Sequence, residues 1–294
     1  MRRAVIICAY FFFTSVFADF PSRNSLTLST ALYRYSYSEE FGSERGHIGF
    51  PRSDEYGPTA GVEAGYNFFD AESKFTFGFN FNLSRSIKHT YDGSLQGKFF
   101  PFIKGVYKGG ELVYENDSIL YYQPLIESTD NYFYGADIKL GYVIPISRQA
   151  IFEPKITTTF DCWVRPVEKH LVEDYLWLRI RPGVSLITKS GGNLGVVSDL
   201  ALSIPVWQRM YWKYGGESYK LKIGGKAGWQ FKFGFARYYA EDLTLKIVYS
   251  YEYYGFKESP PIYFAAEDGQ GIYEPSSATR NNGVKISLQK GFGI

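Results

Sequence analysis

The chain has only three histidines, His47, His89 and His170, and two cysteines, Cys8 and Cys162, so acid–base or metal chemistry has few places to reside. His89 stands three residues before Asp92, and His170 precedes Glu173 and Asp174. A carboxylate at either spacing could orient an imidazole as a general base. Histidines beside acids in polar loops are far more often solvated than catalytic, and all three lie in stretches that read as loops. The sequence contains no G-x-S-x-G nucleophile elbow and no glycine-rich phosphate loop. Scattered histidines and an isolated cysteine give no metal-ligand spacing. No catalytic residue, metal or cofactor is expected.

Charged residues embedded in apolar segments are better candidates: Glu63, Asp161, Arg179, Arg181, Asp199, Lys232 and Glu252. Each occupies the polar phase of a stretch in which every second residue is apolar. If those stretches are strands, the charges share the inner side of a sheet. They then need partners, because an unpaired charge is costly to desolvate. With Arg165 opposite Tyr175 across a 166–174 loop, Asp161 falls opposite Arg179. Across the TKSGGN turn, Asp199 falls diagonal to Arg181. The same counting sets Glu63 opposite Asn80, Gln230 opposite Glu252, and Lys232 diagonal to Glu252. Two roles suit such an ion network: a polar plug filling the interior, or a selectivity constriction or solute site.

The elements that must carry these charges follow one pattern, clearest in residues 74–87, KFTFGFNFNLSRSI. Phe75, Phe77, Phe79, Phe81 and Leu83 alternate with Thr76, Gly78, Asn80, Asn82 and Ser84. A strand separates these two sets onto opposite faces, whereas a helix would mix them. Segment 59–69 repeats the alternation with Ala60, Val62, Ala64, Tyr66 and Phe68 outward. In 175–187, Leu176, Leu178, Ile180, Val184 and Leu186 oppose Trp177, Arg179 and Arg181. Segments 132–144, 151–165, 195–207, 221–238, 243–256 and 283–294 continue it. The first strand, 25–37, changes phase between its leucines and Tyr33, Tyr35 and Tyr37, which a bulge near Thr30–Ala31 would reconcile. Ten strands result, with connections alternately long and short. The arms Phe99–Tyr107 and Glu111–Tyr122 read as a hairpin projecting above the membrane; if both span, the count is twelve.

Composition points the same way. Aromatics make up 19% of the residues, mean hydropathy is -0.21, and no later apolar run approaches the roughly 20 residues of a membrane-spanning helix. The expected fold is all-β: a transmembrane antiparallel up-and-down β-barrel with short periplasmic turns and long extracellular loops. A soluble all-β protein is the alternative. Residues 1–18, with Arg2 and Arg3, an apolar core and Val16-Phe17-Ala18, read as a secretory signal peptide, leaving 19–294 as one barrel domain. Cleavage removes Cys8, so Cys162, at an outward position, has no disulfide partner. It also leaves acidic and basic residues in balance, which gives nucleic acid nothing to bind. The expected location is the outer membrane of a Gram-negative bacterium. Its expected partners are the lipid bilayer, lipopolysaccharide, a ligand at the extracellular loops, and the barrel assembly machinery through the last strand.

Two stretches resemble a broad group of ten-stranded, omptin-like proteobacterial outer-membrane β-barrel proteins. These are YRYSYSEEFG at 33–42, a tyrosine-rich first strand entering an acidic loop, and EPSSATRNNGVKISLQKGF at 274–292. GYVIP and DYLWLRIRPGVSL sit where that group has its fourth and sixth strands. The resemblance implies location and topology, and no activity. Omptin proteases use an acidic pair and an Asp-x-His arrangement at the outer rim, and this sequence lacks the latter. The leading expectation is a non-enzymatic barrel, structural or surface-interacting, with a largely plugged polar lumen. A narrow solute pore and a rim hydrolase are the alternatives.

Overall fold

A computed structural model describes residues 24–40, 52–95, 99–108, 111–120, 123–147, 149–168, 171–190, 193–240, 242–260, 262–263, 271–272 and 274–292. The expected signal peptide, His47 and His170 lie outside these residues. Ten strands form the barrel: β1 (Asn24–Glu40), β2 (Arg52–Phe69), β3 (Phe75–Ser86), β4 (Tyr132–Tyr142), β5 (Ala150–Glu168), β6 (Leu171–Lys189), β7 (Leu194–Tyr214), β8 (Gly224–Ala240), β9 (Leu243–Lys257) and β10 (Ser276–Phe292). Each is antiparallel to its chain neighbours, and β1 pairs with β10 to close the ring. Hydrocarbon offers no partner to a free sheet edge, so closure is what lets strands cross a bilayer.

The outer surface is inverted relative to a water-soluble protein. Leu28, Val62, Phe79, Phe81, Ile138, Leu140, Leu200, Leu202, Phe235, Ile247 and Ile286 all stand exposed on it. An apolar patch of this extent belongs against lipid. Arg34, Arg85 and Arg280 stand exposed where it ends.

At the outer end β1, β2, β5, β6, β7 and β10 run further than the sequence pattern indicates, whereas β3 and β4 end there as expected and β8 begins at Gly224 rather than Leu221. β2 begins at Arg52 rather than at residue 59, so residues 52–57, read from the sequence as part of a polar connection, belong to a strand. β5 and β6 run through the expected 166–174 loop, with Pro166 opposite Val172. β7 continues to Tyr214 and turns at Gly215–Gly216, whose φ of 59° and 92° suit glycine, into a short strand at Glu217–Leu221. β10 starts at Ser276 rather than Gly283. Strands of 17 to 21 residues exceed the 9–11 or so that cross a bilayer. The barrel wall therefore stands well above the membrane. The apolar–polar alternation fades there because no lipid patterns the outer face and the inner face carries buried aromatic as well as polar residues.

One further expectation, the bulge in β1, is corrected. β1 pairs without any register shift with both β2 and β10, so no bulge occurs at Thr30–Ala31. Leu26, Leu28 and Leu32 face lipid, while Tyr35 and Tyr37 are buried inside the barrel. The phase change is real chemistry on one regular strand: its inner residues become aromatic toward the outer end. The Phe99–Lys108 and Glu111–Leu120 strands pair only with each other, and the barrel has ten strands rather than twelve. His89–Leu95 pairs with β2 and with Gln123–Thr129, extending the wall beside the barrel.

Replacing Phe79 in the middle of the lipid-facing belt tests this placement. Phe79→Arg should cost about 2–4 kcal/mol in urea unfolding from lipid vesicles; a change of less than about 0.5 kcal/mol would put that face in water.

Candidate functional site

The interior is filled in layers. Toward the outer end, rings from strands on opposite walls meet. Phe133 of β4, Trp163 of β5, Tyr175 of β6 and Phe256 of β9 form a continuous stack, with centroids 5.9, 4.6 and 5.7 Å apart. Tyr35 and Tyr37 of β1 reach the same Trp163 at 5.7 and 5.0 Å. Trp177, Met210, Leu221, Ile223 and Tyr254 complete this core, which lies inside the barrel. Large aromatics suit it because each fills much volume with few torsions.

Above the rings, Arg165 of β5 is the hub of a buried polar cluster. Its Nε donates to Glu55 at 2.8 Å, and its Nη1 meets Glu173 at 2.8 Å and Glu39 at 3.2 Å. Tyr37 and Trp163 lie against its guanidinium. Glu274, just before β10, accepts from the hydroxyls of Tyr37 at 2.7 Å and Tyr175 at 2.9 Å. One guanidinium thus serves several buried carboxyls. Burial pushes the Glu39 carboxyl up to about 7, against the pull of Arg165 and with the push of Glu173. Burial, Glu39 and Glu173 hold the Glu274 carboxyl well above its ordinary range. Burial also opposes charge on Glu55, but Arg165 and several hydrogen bonds hold it down at about 2.

His89 belongs to this cluster and not to a pair with Asp92. Its ring is fully buried, stacked on Tyr35 at 5.1 Å, whereas Asp92 is exposed. Thr59 Oγ1 lies 2.8 Å from Nε2, and Glu55 Oε1 lies 3.7 Å from Nδ1, an outline similar to a nucleophile–base–acid line. The protons run the wrong way for that. Trp163 Nε1 donates to Asn131 Oδ1 at 2.7 Å, which turns the Asn131 amide nitrogen toward Glu55 and toward His89 Nδ1 at 3.0 Å. Nδ1 is therefore an acceptor, Nε2 carries the proton, and His89 donates to Thr59 rather than accepting from it. A base must accept from its nucleophile. His89 is a positioning residue of the cluster.

Below the rings lies a cavity of about 160 Å³, bordered by Glu63, Asp137, Asp161, Arg179, Arg181, Lys232, Glu252 and Lys285. Asp161 stands opposite Trp177, two residues from the expected Arg179, because the β5–β6 hairpin closes with Arg165 opposite Glu173. A slip of two keeps every side chain on its own face. Arg179 still reaches Asp161 at 2.6 Å and also Glu252 at 2.9 Å. Gly135 leaves the space into which the Asp161 carboxylate fits. Arg181 does not meet Asp199. Its partners are Asp137 at 2.7 Å and Glu252 at 3.3 Å, while Asp199, opposite Ser185, pairs with Lys155. Glu63 stands opposite Asn82, not Asn80, and bonds Lys285 of β10 at 3.0 Å. Gln230 is opposite Glu252, and Lys232 is opposite Ser250 with no ion pair to Glu252.

Residues Asp137, Lys139, Glu153, Lys155 and Lys285 join the interior network, and Trp163, Arg165 and Tyr175 lie above it; none was expected from sequence. All lie on the inward phase of their strands, so parity counting alone could have found them. Cys162 is the free cysteine among the described residues, half-buried on β5.

The outer cluster predicts a pH dependence. Carboxyls raised in the folded state stabilise it fully below their ordinary value of 4.5, and for Glu39 this is lost as pH rises through about 7. Glu55 contributes above 4.5, and its contribution is lost as pH falls through about 2. Stability toward urea should therefore decline from about pH 5 to about pH 8, by on the order of 2 kcal/mol. Glu39→Gln should flatten that decline; a stability rising over the interval contradicts a protonated Glu39.

No protein-family model matches the chain, and its sequence matches no curated protein. Its structure is similar to that of the outer membrane protease OmpT from Escherichia coli, with a TM-score of 0.61, 8% identity, and coverage of 94% of this chain and 99% of that one. The translocator domain of the autotransporter NalP from Neisseria meningitidis matches with a TM-score of 0.42 and 10% identity, over 99% of this chain and 94% of that one. Neisserial surface protein A matches at 0.37 and 8%, over 91% and 97%. At such identities the likeness to OmpT concerns the fold alone. By fold, the chain is a ten-stranded, omptin-like transmembrane β-barrel of outer-membrane type.

Proposed function

We propose that the protein is a non-conducting, non-enzymatic barrel of the Gram-negative outer membrane that presents its raised outer wall and loops at the cell surface. One observation carries the closed lumen: Tyr37 of β1 and Trp163 of β5, from nearly opposite walls, touch at 5.0 Å between ring centroids. Arg165 and Glu39 bridge the same two strands just above. Ten strands enclose an interior that side chains can fill, unlike the 16–18 of open porins. The donor direction at His89 and its complete burial favour a structural role over hydrolysis.

The surrounding bilayer and lipopolysaccharide are the partners this reading gives the barrel. Arg34 and Arg85 are exposed directly above the lipid-facing Leu32 and Leu83, and Arg280 stands one outward position further above Val284, at the level where anionic head groups would lie. The β10 strand, with Val284, Ile286 and Leu288 outward, is the element offered to the assembly machinery. A further ligand would meet the loops.

Planar-bilayer recording of the refolded protein tests the closed lumen. The native chain should stay silent, with heat-modifiable gel mobility proving that it is folded. Trp163→Ala combined with Tyr175→Ala should produce discrete, salt-dependent steps. Steps of that kind from the native chain would replace the plug with a narrow pore.

A further inference from the structure

Below the rings, each lumenal carboxylate is already engaged. Lys285 holds Glu63, Lys139 holds Glu153, Lys155 holds Asp199, and Arg179 and Arg181 share Glu252 while taking Asp161 and Asp137. Two more ammonium groups face the same interior. Lys232 of β8 borders the cavity, and Lys246 of β9 lies between inward Ala236 and Ser287. Neither has an ion pair or hydrogen bond among the described residues.

The charged groups acting on Lys232 are Lys285, Asp199, Arg181 and Lys155. Asp137 and Glu252 also interact with it electrostatically. Asp199, directly across β7, is occupied by Lys155 and by the Ser185 hydroxyl. Lys232 thus sits among three cations and three carboxylates, and each of those carboxylates is already held by another base. Beside it, Nε of Arg179 and Nε of Arg181 are buried without a partner. An ammonium left unpaired, beside guanidinium N–H groups that lack an acceptor, carries a heavy desolvation cost in a confined space. The space is available to relieve it: about 160 Å³ accommodates an ion with a few waters at roughly 30 Å³ each.

We propose that this chamber binds a small monovalent anion, held by Lys232 with Arg181 and Lys285 around it. Lys246 adds positive potential from below. The site is distinct from the aromatic lid and does not depend on whether that lid passes ions. Anion and waters would complete the interior filling that side chains leave unfinished.

Bromide is the probe. Crystals of the folded barrel grown in sodium bromide should show an anomalous peak within hydrogen-bond reach of Lys232 Nζ. The thermal midpoint should also be higher in bromide than in an equal ionic strength of a bulky organic sulfonate that the cavity excludes. Lys232→Met, which preserves length and apolar contacts, should lose the peak and the difference, with apparent affinity falling at least about tenfold. Because the native crystal needs no variant, a folding failure of Lys232→Met leaves the test intact. A chamber without bromide in the native crystal overturns the proposal. So does a variant that keeps the same peak and the same bromide response.

Discussion

Closure of the sheet is the constraint from which the rest follows. Lipid cannot hydrogen-bond a strand edge, so β1 must find β10, and the ring so formed has a fixed girth. Its outer face must be apolar, and its inner face must occupy a column too wide for backbone to fill and too narrow to be an ordinary aqueous channel. Everything distinctive about this chain concerns how that column is occupied.

Two kinds of filler are used at two depths. In the membrane-spanning part, ion pairs link strands that are not neighbours: Arg179 and Arg181 of β6 to Glu252 of β9, and Lys285 of β10 to Glu63 of β2. Above it, rings take over, and the Phe133–Trp163–Tyr175–Phe256 stack spans much of the bore. Rings suit that layer because they cover area without requiring a partner for each atom. The Arg165 cluster then caps the stack. Its mixture of charged and neutral carboxyls lets one guanidinium satisfy a crowd of acids that could not all ionise together.

The lipid-facing side was legible because lipid imposes one demand at every second residue. Phe75 to Leu83 and Leu245 to Tyr253 could hardly be read otherwise. The interior was legible only as parity. Which inward residue met which depended on hairpin register, and a two-residue slip at β5–β6 preserves every face while changing every partner. Hence Asp161 and Arg179 meet, diagonally, and Asp199 goes to Lys155 instead of Arg181. The phase change in β1 shows the same limit from another side. Tyr35 and Tyr37 are as apolar as a lipid-facing residue, and only the pairing on both flanks assigns them to the lumen. The strand extensions escaped because no lipid patterns them.

In the function proposed above, the outer aromatic and ionic layers seal the chamber from the cell exterior. A thiol placed in the chamber reports this directly: Ser250→Cys, at a residue that borders the cavity, in a Cys162→Ser background. Intact cells would be treated with a charged, membrane-impermeant thiol reagent, and modification counted by mass. A sealed lid predicts no modification until the protein is unfolded. Rapid labelling on intact cells would mean that the rings leave a passage, and would contradict the account.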